Sequence, residues 1–362
     1  MVNVLHNEFP FQKCKSVLKL LQTIIQLEKD SVSLYSGLNY HIDLGTLEHL
    51  SATASKKGRS DIILLVWEYM EIMRLSEDKS HGITPSQSLH ESAAQAFVCS
   101  NLPQDHMTFN VFAEMEEQGY EINRSLLQSI SRSTRTRLTV GRINNMRWIL
   151  KNYDTRKNNS NTAKPTSAAL NCILACYGQL GEVQRALETF DEFGLLGCQT
   201  TPETFEFLME AIKEDITTAI PPFLHGIGTN YVDNENEYDF EEWRQTQLET
   251  AEAILETCIE QGHPMNKYML NSYIQILCTG DELEKAKQFL SELLESEEDL
   301  VQQFSPQCFS VLALSYAHRG LGADAQEVIN MNSMVGLSDQ LPKHVMERVA
   351  RLQQKSKLSF KV

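Results

Sequence analysis

Apolar residues recur at every third or fourth position along most of the chain, and short polar turns separate the apolar stretches. The stretch 169–197, ALNCILACYGQLGEVQRALETFDEFGLLG, carries two such stripes on either side of a turn at Gly181. This spacing predicts two amphipathic helices that form a hairpin. The same pattern begins again at Met269 and at Cys308.

Each copy of the pattern places a glycine after the first helix and a small alanine at the start of the second. We expect the glycine to adopt a left-handed helix-ending conformation and the alanine to let the two helices approach closely. These positions are Gly181 and Ala186, Gly280 and Ala286, and Gly320 and Ala325. One hairpin cannot bury its apolar stripe alone, so such repeats stack. The sequence therefore predicts an all-α fold, a right-handed α-solenoid of about seven repeats of the 35-residue type, with insertions.

The clarity of the pattern divides the chain into four parts. Residues 1–43 are expected to form an N-terminal helical cap or half-repeat, and residues 44–166 degenerate helical repeats. Clearer repeats occupy 167–337, with an acidic insertion at 216–243 that is expected to be a solvated loop. Residues 338–362 are expected to form a C-terminal capping helix and tail.

Charge is unevenly distributed along the chain, whose formal net charge is −16. The basic segment 124–164 has ten Lys and Arg and a single acid, Asp154, whereas residues 202–306 have 23 acids and five bases. Basic side chains spaced by three and four on one helix face could bind phosphates. The candidates are Arg124, Arg132, Arg135, Arg137 and Arg142. The basic segment could equally be a solvated face, or pair with the acidic half of this or another copy.

The repeats resemble the pentatricopeptide repeat family, whose unit has a polar residue in the first helix, a glycine after it, and an alanine and phenylalanine in the second. The matching residues are Asn171, Gly181, Ala186, Leu187, Phe190 and Gly197. The tetratricopeptide repeat is the nearest competing class. No repeat has its tryptophan-containing start, and the interval from Ala251 to Ala286 is 35 residues, which favours the pentatricopeptide family.

The resemblance implies binding of single-stranded RNA, with about one base per repeat contacted by the fifth and last residues of each repeat. The candidate base-reading residues are Asn171, Thr201, Glu206, Asn266, Asn271, Ser305 and Ser310. In the degenerate repeats the same alignment gives fifth residues Glu48, Ala93 and Gln128 and last residues Ser86, Asn123 and Thr166. Carboxylates such as Glu48 and Glu206 depart from the family pattern. A polar residue at a helix start could also be only a cap or a bond to the next repeat.

Motifs for catalysis and for metals are not found, so we expect no enzyme activity, no cofactor and no metal. His6 and Glu8 have the first spacing of a zinc deaminase, but no C-x-x-C follows. The acidic run of residues 233–239 lacks the glycine of a calcium loop, because Tyr238 occupies that position. Cys172 and Cys176 lie on one helix face and are expected to be small packing residues rather than half of a zinc site.

The resemblance implies a mitochondrial or plastid protein that acts in RNA processing, stability or translation. No presequence is visible at this start, so a cytoplasmic location is the other possibility. No window of about 18 uncharged apolar residues predicts a membrane span. A different class also fits the sequence, a helical-repeat scaffold that binds other proteins, with the acidic half as its candidate binding surface.

Overall fold

The computed structural model describes residues 23, 42–75, 85–100, 104–134, 138–153, 162–219, 237–295, 304–337 and 340–359. Within these ranges the structure has fifteen α-helices joined by turns, besides the isolated helical residue Thr23 and a 3₁₀ conformation at Gln340. The chain divides into two compact units, residues 1–169 and 170–362. Nearly all of the predicted cap at 1–43, including His6 and Glu8, lies outside the described residues.

The first unit contains three helical hairpins. Their helices are α1 (Leu44–Lys56), α2 (Ser60–Leu75), α3 (Gln87–Cys99), α4 (Asp105–Glu117), α5 (Arg124–Thr134) and α6 (Val140–Lys151). The first helices stack in order, α1 on α3 and α3 on α5, and α4 packs on α6. This arrangement buries one apolar stripe of each hairpin against the next hairpin.

The second unit continues the same alternation. Its helices are α7 (Ser167–Leu180), which begins just before the boundary, α8 (Val183–Leu196), α9 (Pro202–Ala219), α10 (Glu237–Glu260), α11 (Lys267–Thr279), α12 (Leu283–Glu295), α13 (Pro306–His318), α14 (Gly322–Met334) and α15 (Lys343–Ser359). Here α9 packs on α11, α11 on α13, and α13 on α15. The predicted all-α stack of helical hairpins is thus confirmed.

Small residues at the helix crossings account for the close stacking. Ala186, Ala251, Ala286 and Ala325 are all fully buried, as the pattern predicts. A longer side chain at these positions would hold the paired helices apart and open voids, which cost stability in a close-packed interior.

The role predicted for Gly280 is wrong. Gly181 and Gly320 adopt the expected positive φ of 67° and 78°. Gly280 instead has φ −77°, and its neighbour Asp281 takes the left-handed conformation with φ 69°. A Cβ atom at Gly280 would lie 2.9 Å from Cδ2 of Leu248 and 3.1 Å from the carbonyl oxygen of Ile276. A side chain at Gly280 would therefore crowd Leu248 of α10 and the carbonyl of Ile276 in its own helix, whereas its backbone conformation does not itself favour glycine.

The acidic insertion has a different extent from the predicted 216–243. Residues 216–219 continue α9 and residues 237–243 begin α10, which is why α10 reaches 24 residues. The acids Asp233 and Glu235 lie outside the described residues, and the side chains of Glu237 and Asp239 are not described.

Candidate nucleic-acid interface

The predicted last residue of each repeat lies at the start of a first helix. In five of the six repeats its side-chain oxygen accepts a hydrogen bond from a backbone N–H in the first turn of that helix, as an N-cap does. These caps are Ser86, Asn123, Thr166, Asn266 and Ser305, with bond lengths from 3.0 to 3.3 Å. The cap explains why a polar residue is required here whether or not RNA binds.

The caps also fix the register of the fifth residue. Counting five residues from a cap gives Gln128 after Asn123, as the sequence alignment predicts. After Ser86 it gives Glu91, and not Ala93, which is fully buried. Ala93 lies seven residues after Ser86, so the two positions that the sequence alignment gives for this repeat are inconsistent with each other.

Hydrogen bonds join the fifth residue of a repeat to its last residue in four repeats, and we call these the junction pairs. They are Glu48–Ser86, Asn171–Thr201, Glu206–Asn266 and Asn271–Ser305. In the second unit Asn171 Nδ2 donates to Thr201 Oγ1 at 3.0 Å, and Ser305 Oγ donates to Asn271 Oδ1 at 2.7 Å. Residues about one repeat or more apart in sequence therefore meet in the fold, as the two-residue base-reading scheme requires.

The junction pairs differ in their exposure to solvent. Asn171 and Glu206 are only 3% and 1% exposed, and Asn171 Oδ1 also accepts a bond of 2.8 Å from the Thr204 hydroxyl. Asn271 and Ser305 are both half-buried. Of the three pairs in the second unit, a base could reach Asn271–Ser305 with least rearrangement, because both side chains are half-buried and fewer existing bonds would have to break.

The hydroxyl of the last candidate, Ser310, bonds to the backbone of its own helix and not to a junction partner. It is 7% exposed, and its hydroxyl donates to the backbone carbonyl of Pro306 at 2.6 Å. Bonding of this kind to the preceding turn of the same helix is common for serine and uses its single donor.

A second polar row, which the sequence patterns did not reveal, links the first helices of the first unit. Ser55 Oγ donates to Gln95 Oε1 at 3.0 Å, and Gln95 Nε2 donates to Ser129 Oγ at 3.0 Å. The bonds connect α1 to α3 and α3 to α5. The only signal in the sequence is a polar residue in each of these first helices, and these residues do not fall at one position of the repeat.

The five arginines predicted to bind phosphates differ in their surroundings. On α5 Arg124 Nη1 donates to Gln128 Oε1 at 3.0 Å, so Arg124 is held beside the fifth residue of its repeat. Arg132 is exposed further along the same helix. Arg135 and Arg137 lie outside the described residues.

Arg142 binds a carboxylate of the protein itself. Its Nη2 donates to Asp105 Oδ1 at 2.6 Å and its Nε to Asp105 Oδ2 at 3.2 Å, a bidentate pair. Nη2 also donates to the carbonyl oxygen of Val98 at 3.1 Å, and the Arg142 side chain is only 11% exposed. The sequence placed Arg142 among the phosphate contacts, but in the fold its charge is neutralised by Asp105.

The thiols of the second unit are packing groups. Cys172 and Cys176 are buried, as the sequence predicts. Burial raises the pKa of Cys278 to about 12 and that of Cys308 to about 11, so both stay protonated at neutral pH and are poor nucleophiles or metal ligands. Within the described ranges no group of three His, Cys, Asp or Glu side chains could hold a metal ion.

These features define an all-α helical-repeat protein with polar pairs at its repeat junctions. No protein-family model matches the chain, and no curated protein matches it. Among solved structures it is similar to the pentatricopeptide repeat protein PPR10 in complex with an 18-nt psaJ RNA element, at 12% identity and a TM-score of 0.27 over 93% of this chain. The crystal structure of the pentatricopeptide repeat protein PPR10 from maize matches at 13% identity and a TM-score of 0.23 over 88% of this chain.

The chain spans 56% and 62% of the length of these two structures. At this identity and TM-score the similarity says nothing about what the chain binds. None of the described helices is long and apolar enough to cross a bilayer.

Proposed function

We propose that this helical-repeat protein binds single-stranded RNA, and that it acts on organellar transcripts, in mitochondria or plastids, in processing, stability or translation without catalysing a reaction itself. The observation that carries the proposal is the set of junction pairs. Each pair brings two hydrogen-bonding side chains together at a repeat boundary, which is the arrangement needed to contact one base per repeat.

The chemistry of two pairs suits base edges. The amides of Asn171 and Asn271 offer a donor and an acceptor, and the hydroxyls of Thr201 and Ser305 can do either. Because Asn271 and Ser305 are both half-buried whereas Asn171 is 3% exposed beside a half-buried Thr201, we place Asn271–Ser305 first. A base that binds Asn171 would have to replace the bond that Asn171 donates to Thr201 or the bond that it accepts from Thr204.

Phosphate contacts are proposed on α5, through Arg124 and Arg132. Each contact neutralises one phosphate and releases counterions, so affinity depends on salt. Arg142 contributes through its pairing with Asp105, which holds α6 against α4, and no direct phosphate contact is assigned to it.

Charge reversal on α5 tests this function. The double change Arg124→Glu and Arg132→Glu is expected to weaken binding to a randomised single-stranded RNA pool by at least about tenfold at 0.1 M salt. It should also reduce the slope of log affinity against log salt by about 1.4, since each single-strand contact contributes about 0.7. Filter binding or fluorescence anisotropy across a salt series measures both quantities.

Lys343→Glu is the matched control, because Lys343 is exposed on α15 and belongs to no proposed contact. Its affinity for the pool should stay within about twofold of the unchanged chain. A chain that fails to bind the pool, or an α5 double variant with unchanged affinity and salt slope, would contradict the proposal.

A protein-binding scaffold is the alternative function, and one observation favours it. Two of the four junction pairs contain a carboxylate, Glu48 or Glu206, and Glu206 is buried against Asn266. Such pairs hold repeats together but repel a phosphate backbone. If the full chain binds a protein partner but no RNA, this alternative is selected.

A further inference from the structure

The helix α15 forms one wall of a groove whose other wall is α13. The groove has a volume of about 670 Å³, within the range of roughly 300–1,000 Å³ that is usual for binding sites. The residues that line it include Leu314, Ala317 and His318 on α13 and His344, Arg348 and Arg351 on α15.

The periodicity of α15 explains why this face is presented. Val345 and Val349 are fully buried where α15 packs on α13 and α14. His344, Arg348 and Arg351 follow one another at intervals of four and three, so they form a single stripe beside the buried one. The stripe is exposed and borders the groove along its length.

The groove is lined by two arginines, two histidines and one acid, Glu347, in a chain that is strongly acidic. The sequence of α15 has five Lys and Arg and a single acid, Glu347, whereas the chain carries −16. Glu347 lies 3.5 Å from Arg351 in an exposed i,i+4 pair, which is a weak interaction that a competing carboxylate can replace. Arg348 and Arg351 have the planar guanidinium groups that bind carboxylates in bidentate fashion.

The floor of the groove is apolar, and this decides between two classes of partner. Leu314, Ala317 and Leu352 provide aliphatic surface beneath the basic stripe. Among the described residues that line the groove there is no Phe, Tyr or Trp, although such rings are the usual platform for the bases of a single strand. An apolar floor with a cationic rim fits a helix that has apolar residues on one face and carboxylates beside them.

We propose that the groove between α13 and α15 binds an acidic amphipathic helix of a partner protein. Apolar side chains of the partner pack on Leu314 and Ala317, and its carboxylates pair with Arg348 and Arg351. The site is distinct from the junction pairs and from α5, so it is independent of the RNA-binding proposal.

The test uses the full chain and a fluorescein-labelled synthetic peptide with leucine at every third or fourth position and glutamate between. Fluorescence anisotropy should show saturable binding, and a scrambled peptide of equal composition should bind at least about tenfold more weakly, because it cannot form one apolar face. The double variant Arg348→Glu and Arg351→Glu should lose at least about tenfold in affinity. Lys343→Glu, outside the groove on the same helix, should stay within about twofold.

Exchanging the charges of the peptide and of the groove gives a sharper comparison. A peptide with lysine in place of each glutamate should bind the double variant better than it binds the unchanged chain. Absence of peptide binding, equal binding of the scrambled peptide, or no loss in the double variant would each overturn the proposal. So would a single-stranded RNA oligonucleotide that binds the groove with the same dependence on Arg348 and Arg351 while the peptide does not.

Discussion

The change Gly58→Ala is expected to lower the free energy of unfolding by about 3 kcal/mol, combining left-handed strain with overpacking. Gly58 connects α1 to α2 with a φ of 61°, a conformation that costs an L-residue free energy. An added Cβ would overlap the carbonyl oxygen of Cys99 and lie 3.0 Å from its carbonyl carbon. Both obstacles are backbone atoms, so one rotamer change cannot relieve them.

Gly119→Ala separates the two causes. Gly119 has nearly the same conformation, with φ 72°, and no atom lies within 4 Å of its added Cβ. It should therefore cost only the conformational part, about 1–2 kcal/mol. Urea unfolding followed by far-UV circular dichroism gives both values, and equal losses in the two variants would contradict the steric explanation.

The change Asp105→Ala is expected to lower the free energy of unfolding by about 3–5 kcal/mol, the range found when one partner of a buried ion pair is removed. Asp105 is 5% exposed and binds Arg142 through both carboxylate oxygens. Without it the guanidinium stays in a nearly buried site that lacks a counter-charge.

A double change tests whether the loss comes from the unmatched charge. Asp105→Leu combined with Arg142→Met removes both charges and fills the site with apolar side chains, and such replacements are often close to neutral. The double variant should therefore unfold at a higher urea concentration than Asp105→Ala. A double variant as unstable as the single one would show that packing, and not charge, is responsible.

Local patterns predicted the helices well. The three-to-four spacing of apolar residues reflects the geometry of a single helix, and glycines such as Gly181 mark a turn that any hairpin of this type needs. The stack follows because each stripe needs a neighbour. These are properties of short segments, so the sequence shows them directly.

Contacts between repeats were the part that could not be predicted. Gly280 is explained by Leu248 on another helix, and Arg142 by a carboxylate 37 residues away. The displacement from Ala93 to Glu91 has a different origin, because counting five residues from Ser86 gives Glu91 and the local cap at Ser86 confirms that start. Among the site residues, pairing was foreseen, but the burial of Asn171 and Glu206 depends on the neighbouring repeat.

Mapping of photochemical crosslinks tests the central proposal, that junction pairs contact RNA bases, most directly. The full chain would be irradiated with single-stranded RNA from the randomised pool, and the adducts located by mass spectrometry. We expect adducts near Asn271 and Ser305, and their loss in the double variant Asn271→Ala and Ser305→Ala. Adducts confined to second helices or α15, or none at all under conditions in which a known single-strand-binding protein crosslinks, would contradict the proposal.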